Sequence, residues 1–230
     1  MTLIEILIAL TIFAIVTTML VGGWINLQRS SVFAVRTMDA RATVRDALGR
    51  ISSELRDGQP TALPTAPPAS TSMPALFTIA QPTEVEFYSV FNLAGADDEG
   101  SGTARRLTRI WLDTAGSTPQ LDLYWQRDTN GNDIIDGADR TRLLASDVVN
   151  NSIPNSSVTP QAPYTAIFRY WYRDASGALS KADAIPSADL ADTQIIAVQV
   201  RLIVDANLNR APSPIDLTTT VRPRNASVDQ

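Results

Sequence analysis

The chain begins apolar, becomes amphipathic, passes through a proline-rich stretch and ends in alternating sequence. Glu5 is the only charged residue before Arg29, so positions 6–28 form 23 consecutive residues without a charge. As a helix, that run is long enough to cross roughly 30 Å of hydrocarbon. Beyond it a helical period continues: Val44, Leu48, Ile51 and Leu55 fall at i, i+4, i+7 and i+11, with Val35 and Met38 starting the stripe one or two turns earlier. This predicts one long helix over about 1–57, apolar on all sides in 1–27 and amphipathic in 28–57, its stripe packed on a sheet. Gly58 and Pro60 are placed to stop it.

Residues 58–74 contain five prolines among Ser, Thr and Ala, which predicts an extended covering loop. The remainder, 75–230, reads as a β domain. Segments 75–80, 84–91, 105–112, 121–127, 164–172, 195–204 and 215–221 are rich in β-branched and aromatic residues and are bounded by Gly, Pro, Asp or Asn. The alternation in Glu84-Val85-Glu86-Phe87-Tyr88 and Gln199-Val200-Arg201-Leu202 is that of half-buried antiparallel strands. Trp111, Trp125 and Trp171 sit on these strands as expected core or cross-strand partners. A long helix followed only by strands is an α+β chain, one helix laid on an antiparallel β-sheet.

Charge and composition narrow the chemistry. The formal charge of −5 argues against a general nucleic-acid surface, so no direct nucleic-acid binding is expected. Without a single cysteine or histidine, the 230 residues hold no disulfide, Cys nucleophile, His-based triad or Cys/His zinc site. Nothing marks a catalytic site, and the chain is expected not to be an enzyme. Arg29, Arg36, Arg41, Arg45, Arg50 and Arg56 line the amphipathic half. They predict a solvated face balanced by Asp39, Asp46, Glu54 and Asp57, with Asp46 and Arg50 spaced for an i, i+4 pair. The alternative is contact with anionic headgroups or with acidic faces of neighbouring subunits.

Glu5 is the unusual residue of the apolar segment. A carboxylate gains about 1 kcal/mol from the helix dipole at an N-terminus, whereas centring it in lipid costs roughly 2.5–3.5 kcal/mol on insertion scales. A secretory signal peptide would instead place basic residues before its apolar run, and none stands there. The sequence Thr2-Leu3-Ile4-Glu5 followed by an unbroken apolar segment resembles the mature N-terminus of type IV pilins and type II secretion pseudopilins. The resemblance implies that a prepilin peptidase removes a short leader and that the new N-terminal residue, here Met1, is N-methylated; an initiator methionine would look the same. It further implies subunits stored in the inner membrane, extracted by inner-membrane assembly machinery and stacked with themselves or related pilins. In such a stack the Glu5 carboxylate pairs with the Met1 amine of a neighbour. Where the family usually carries a helix-kinking proline, this chain has Gly22 and Gly23, and the expectation is a bend or unwinding there in a filament, or else close helix packing. The end of the chain, 217–225, resembles more weakly the last strand of larger minor pilins and J-type pseudopilins.

One loop suggests a metal. Asp128, Asn130, Asn132, Asp136 and Asp139 occupy positions 1, 3, 5, 9 and 12 of a twelve-residue stretch, with the Ile134 carbonyl at position 7. That is the spacing of an EF-hand-like Ca²⁺ loop, although Asp133 stands where Gly is usual and Asp139 where Glu is usual. The competing expectation is a polar turn. Calcium here would be a structural clamp. The functional expectation is therefore a structural subunit of a type IV pilus-like filament, membrane-bound before assembly and at the cell surface after it. A secretion pseudopilin, or a minor pilin acting as tip, initiator or adhesin, is the alternative, with 95–103 (GADDEGSGT) as a candidate display loop.

Overall fold

A computed structural model of the chain describes residues 2–58, 76–89, 106–113, 120–150, 165–174, 176–190, 193–205 and 214–223. Met1, nearly all of the proline-rich stretch and the 95–103 segment lie outside the described residues. The chain has the expected pilin-like α+β arrangement: one long N-terminal helix, α1 (Leu3–Arg56), packed by its C-terminal part on a curled antiparallel sheet.

The strands are β1 (Phe77–Ala80), β2 (Glu84–Ser89), β3 (Arg106–Asp113), β4 (Leu121–Arg127), β5 (Arg140–Val148), β6 (Phe168–Arg173), β7 (Leu179–Ala182), β8 (Gln194–Val204) and β9 (Ile215–Val221). Their order is β1-β2-β3-β4-β5-β8-β6-β7, with β9 on the other edge of β8, and every pairing is antiparallel. The β1–β5 meander joins the second half through a single register pair, Val148↔Val204. The side chain of Asn150 extends that junction, donating to the Arg201 carbonyl and accepting from Ile203 N, each at 2.6 Å. The sheet curls far enough for the β1–β2 turn to meet β6: the Pro82 carbonyl accepts from Ile167 N and Phe168 N, and Ala80 bridges Ile185.

The curl exists to cover one helix face. Val44, Ala47, Leu48, Ile51 and Leu55 of α1 are buried against Phe87, Ile110, Leu123, Tyr170, Val198, Val200 and Leu202. The predicted stripe is therefore correct from Val44 onward. Upstream it is not: Val35 and Met38 remain exposed, because the sheet does not reach them. The helix ends as expected, with Asp57 as cap and Gly58 N donating to the Leu55 carbonyl at 3.3 Å.

Two strands, β5 and β7, go beyond the sequence expectation. The β5 sequence, RTRLLASDV, is polar and lacks a β-branched run; pairing with β4 makes it a strand, since strand preference depends on neighbours more than on the residue itself. The strand tryptophans behave as expected. Trp125 is buried, Trp111 stacks on its cross-strand partner Tyr124, and Trp171 lies beneath its cross-strand partner Lys181.

Candidate functional site

The first 41 residues of α1, Leu3 to Thr43, are exposed apart from Thr37 and Ala40, which are half-buried. At 1.5 Å per residue this is a rod about 60 Å long, standing clear of the sheet. Up to Leu27 its surface is oily on every side: Leu3, Phe13, Met19, Leu20, Trp24 and Leu27 are all large and exposed. The helix is long and apolar enough to cross a membrane, and none of its most apolar stretch is buried. The hydroxyls of this apolar stretch are already satisfied. Thr11, Thr17 and Thr18 donate to the carbonyls of Leu7, Phe13 and Ala14 at 2.7–2.8 Å, leaving no unpaired O–H for a lipid or helix neighbour to meet.

At the tip, Glu5 turns back on its own helix: its Oε2 accepts from Thr2 N at 2.7 Å. This is one arm of a capping box, and it uses one of the four orphan N–H groups of a helix start. Glu5 Oε1 has no hydrogen bond to a described residue. Gly22 and Gly23 lie within continuous helix, and a Cβ added at either would meet nothing within 4 Å. In the single chain these glycines are open surface.

Where the helix enters the sheet there is a polar cluster that the sequence reading missed. Glu54 is buried, and Arg127 Nη2 donates to its Oε2 at 2.5 Å from β4. Ser89 of β2 and Thr108 of β3 complete the cluster, their hydroxyls 2.9 Å apart with Arg127 touching both. Arg50 approaches the other carboxylate oxygen at 3.6 Å. Two expectations are thus corrected: Arg50 pairs with Glu54 instead of Asp46, and Glu54 belongs to the interior instead of the solvated face. Burial is the largest influence on Glu54 and raises its pKa, against the opposing pull of Arg127 and Arg50. A signal was present in the sequence, since Glu54 stands three residues after Ile51 and one before Leu55, on the buried side of the stripe.

The 128–139 loop joins β4 to β5 and is closed by its own acids. Asp128 is buried; its Oδ1 accepts from Gly131 N at 2.7 Å and its Oδ2 from Asp133 N at 3.0 Å. Asn130 and Asn132 accept from the N–H two residues on, both at 2.9 Å, and Asp136 Oδ1 accepts from Ala138 N at 2.8 Å. Asp139, also buried, binds Thr129 N through Oδ1 and Asp136 N through Oδ2, tying the two ends together. Burial would push the Asp139 carboxyl up, but the N–H groups of Asp136 and Thr129 and the Thr129 hydroxyl hold it below the usual carboxylate range. Ile134 is exposed. Among the described residues no three carboxylates converge as a ready metal cage. Asp133, in the place usual for Gly, takes a left-handed φ of 59°, as does Gly131 at 76°. In comparison with known proteins, no family model and no curated protein matches this chain.

Proposed function

We propose that this chain is a structural subunit of a type IV pilus-like filament, stored in the membrane after prepilin processing and polymerised through its N-terminal helix. The observation that carries the proposal is the exposed rod, whose most apolar stretch has no part of its own chain packed on it. Exposing that much apolar surface to water costs about 25 cal/mol per Å², so the rod needs lipid or other rods around it. A helix that is apolar all round suits both in turn. Glu5 fits the same cycle: its self-cap satisfies one oxygen in the single chain, and the other, which meets no described residue, would take the Met1 amine of a neighbour. The test is electron microscopy of sheared surface filaments with mass spectrometry of their main component. Finding this chain as the bulk component supports the reading; filaments that lack it, with the chain confined to the membrane, point to a secretion pseudopilin or a minor, tip or initiating subunit.

For the 128–139 loop we propose a structural Ca²⁺ held by Asp128, Asn130, Asn132, Asp136, Asp139 and the Ile134 carbonyl. The side-chain oxygens of Asp128, Asn130, Asn132 and Asp136 named above, and Asp139 Oδ2, each accept one backbone N–H and keep further lone-pair capacity, whereas Asp139 Oδ1 already accepts from both the N–H and the hydroxyl of Thr129. A bound cation would join acids that the loop already gathers at its two ends.

A further inference from the structure

Among the described residues the helix–sheet junction gathers more arginines than acids. Arg127 is directly opposite Arg140 across β4 and β5, and Trp125 is opposite Arg142, so all four share one face of the sheet. That face meets α1 at Glu54 and Arg50, with the Arg50 guanidinium 4.7 Å over the Trp125 ring and that of Arg127 5.1 Å from it. Arg50 and Arg127 act on Glu54, with the Asp57 carboxylate also within its electrostatic reach, while Arg140 and Arg142 bring two further guanidiniums to the same face; Asp46, a turn away on α1, is not bridged to Arg50. Arg140 and Arg142 are exposed. A second observation lies at the same spot: Arg50 Nε and Trp125 Nε1 are buried N–H donors without an acceptor among the described residues. Buried donors are almost always paired, and orphans of this kind are rare. Burial and the guanidiniums of Arg142, Arg127 and Arg140 depress the Arg50 pKa, with Glu54 opposing them.

From this juxtaposition we infer that Arg50, Arg140 and Arg142, on the floor formed by Trp125, make a binding site for an oxyanion of the phosphate or carboxylate class. Only acceptor-rich, negatively charged groups answer both the surplus charge and the spare N–H donors, and guanidinium forks match such groups in geometry. The site does not depend on the filament reading. On a straight helix Arg50 lies about 30 Å beyond Arg29, so headgroups bordering the apolar run do not reach it. Two sources of the anion are then left, a small soluble oxyanion or an acidic side chain of a second copy, the chain itself being net −5.

The test uses the full chain in a neutral detergent with ¹⁵N-labelled tryptophan, the Trp125 indole N–H peak being assigned through Trp125→Phe. Inorganic phosphate is titrated at constant ionic strength set with sodium chloride. A saturable movement of the Trp125 peak is expected. It should persist in Arg36→Gln, on the exposed part of α1, and weaken on the order of a hundredfold in Arg140→Gln/Arg142→Gln through loss of two charge-assisted contacts. Circular dichroism confirms that the double variant is folded. In phosphate-free buffer, movement that grows with protein concentration and is competed away by phosphate assigns the anion to a second copy; concentration-independent behaviour assigns it to a soluble oxyanion. No saturable movement, or the same movement in the double variant, overturns the site.

Discussion

Glu54 on α1 and Arg127 on β4, 73 positions apart in sequence, form a buried ion pair at 2.5 Å that fixes the helix against the sheet. Where non-directional apolar contacts set the depth of the groove, the directional charge pair adds its own requirement on helix register. Ser89 and Thr108 supply further polar partners, so the pair is held from β2 and β3 as well.

Replacing Arg127 by Met leaves a buried carboxylate without its partner. The expected loss at neutral pH is about 3–5 kcal/mol, read by urea unfolding of the full chain in detergent. Replacing both partners, as Glu54→Leu/Arg127→Met, should recover most of that loss, because apolar side chains of similar volume do not need the pair. A double variant as unstable as the single one would refute this account of the junction.

The two buried acids respond to pH with opposite signs. Burial raises the folded-state pKa of Glu54, so its stabilising contribution is complete below the unfolded value of about 4.3 and is lost as pH rises through the folded value. Arg127→Met should exaggerate this, its deficit shrinking in acid as Glu54 takes up a proton. Asp139 is depressed, net, by its N–H donors. Its contribution is present above about 3.9 and disappears as pH falls through the folded value. Unfolding midpoints measured from pH 3 to 8 in wild type, Arg127→Met and Asp139→Asn should separate the two trends.

Calcium should raise, and EDTA should lower, the melting temperature of the purified chain, and Asp128→Asn should blunt both effects. Indifference to both reagents would make the loop a plain Asx-rich turn. Gly131→Ala is expected to cost about 1–2 kcal/mol with or without metal, because a left-handed φ of 76° is unfavourable for alanine. Its Cβ would also fall 2.3 Å from Arg106 Nη1, a flexible group that can shift.

Glu5→Ala should block filament assembly while leaving the subunit folded and membrane-inserted. The carboxylate lies far from the sheet, so the core is untouched; only the self-cap to Thr2 N is lost with it. Carbonate extraction of membranes and limited proteolysis check insertion and fold, and microscopy checks assembly. Normal filaments would count against the pairing of Glu5 with a neighbouring amine.

The helix, its stop at Gly58, its buried stripe from Val44 and most strands are legible in sequence because each has a local cause: period, cap or alternation. The same logic overextends the stripe to Val35 and Met38, since period alone does not say how far a sheet reaches. It also places Glu54 with the solvated charges and pairs Arg50 with Asp46, since spacing along a helix is blind to a partner arriving from β4. The polar strand β5 escapes it because its conformation is imposed by its neighbour.

By itself, then, the order of residues determined that this chain has an oily leading helix, an amphipathic continuation and a β domain, for these follow from short-range periodicity and from the transfer cost of apolar groups. Tertiary structure alone decided which acids and arginines meet. Glu54, Arg127, Arg50, Arg140 and Arg142 are brought together by strand register and helix docking, which depend on contacts between residues distant in sequence and on the single arrangement that buries the stripe without stranding a charge.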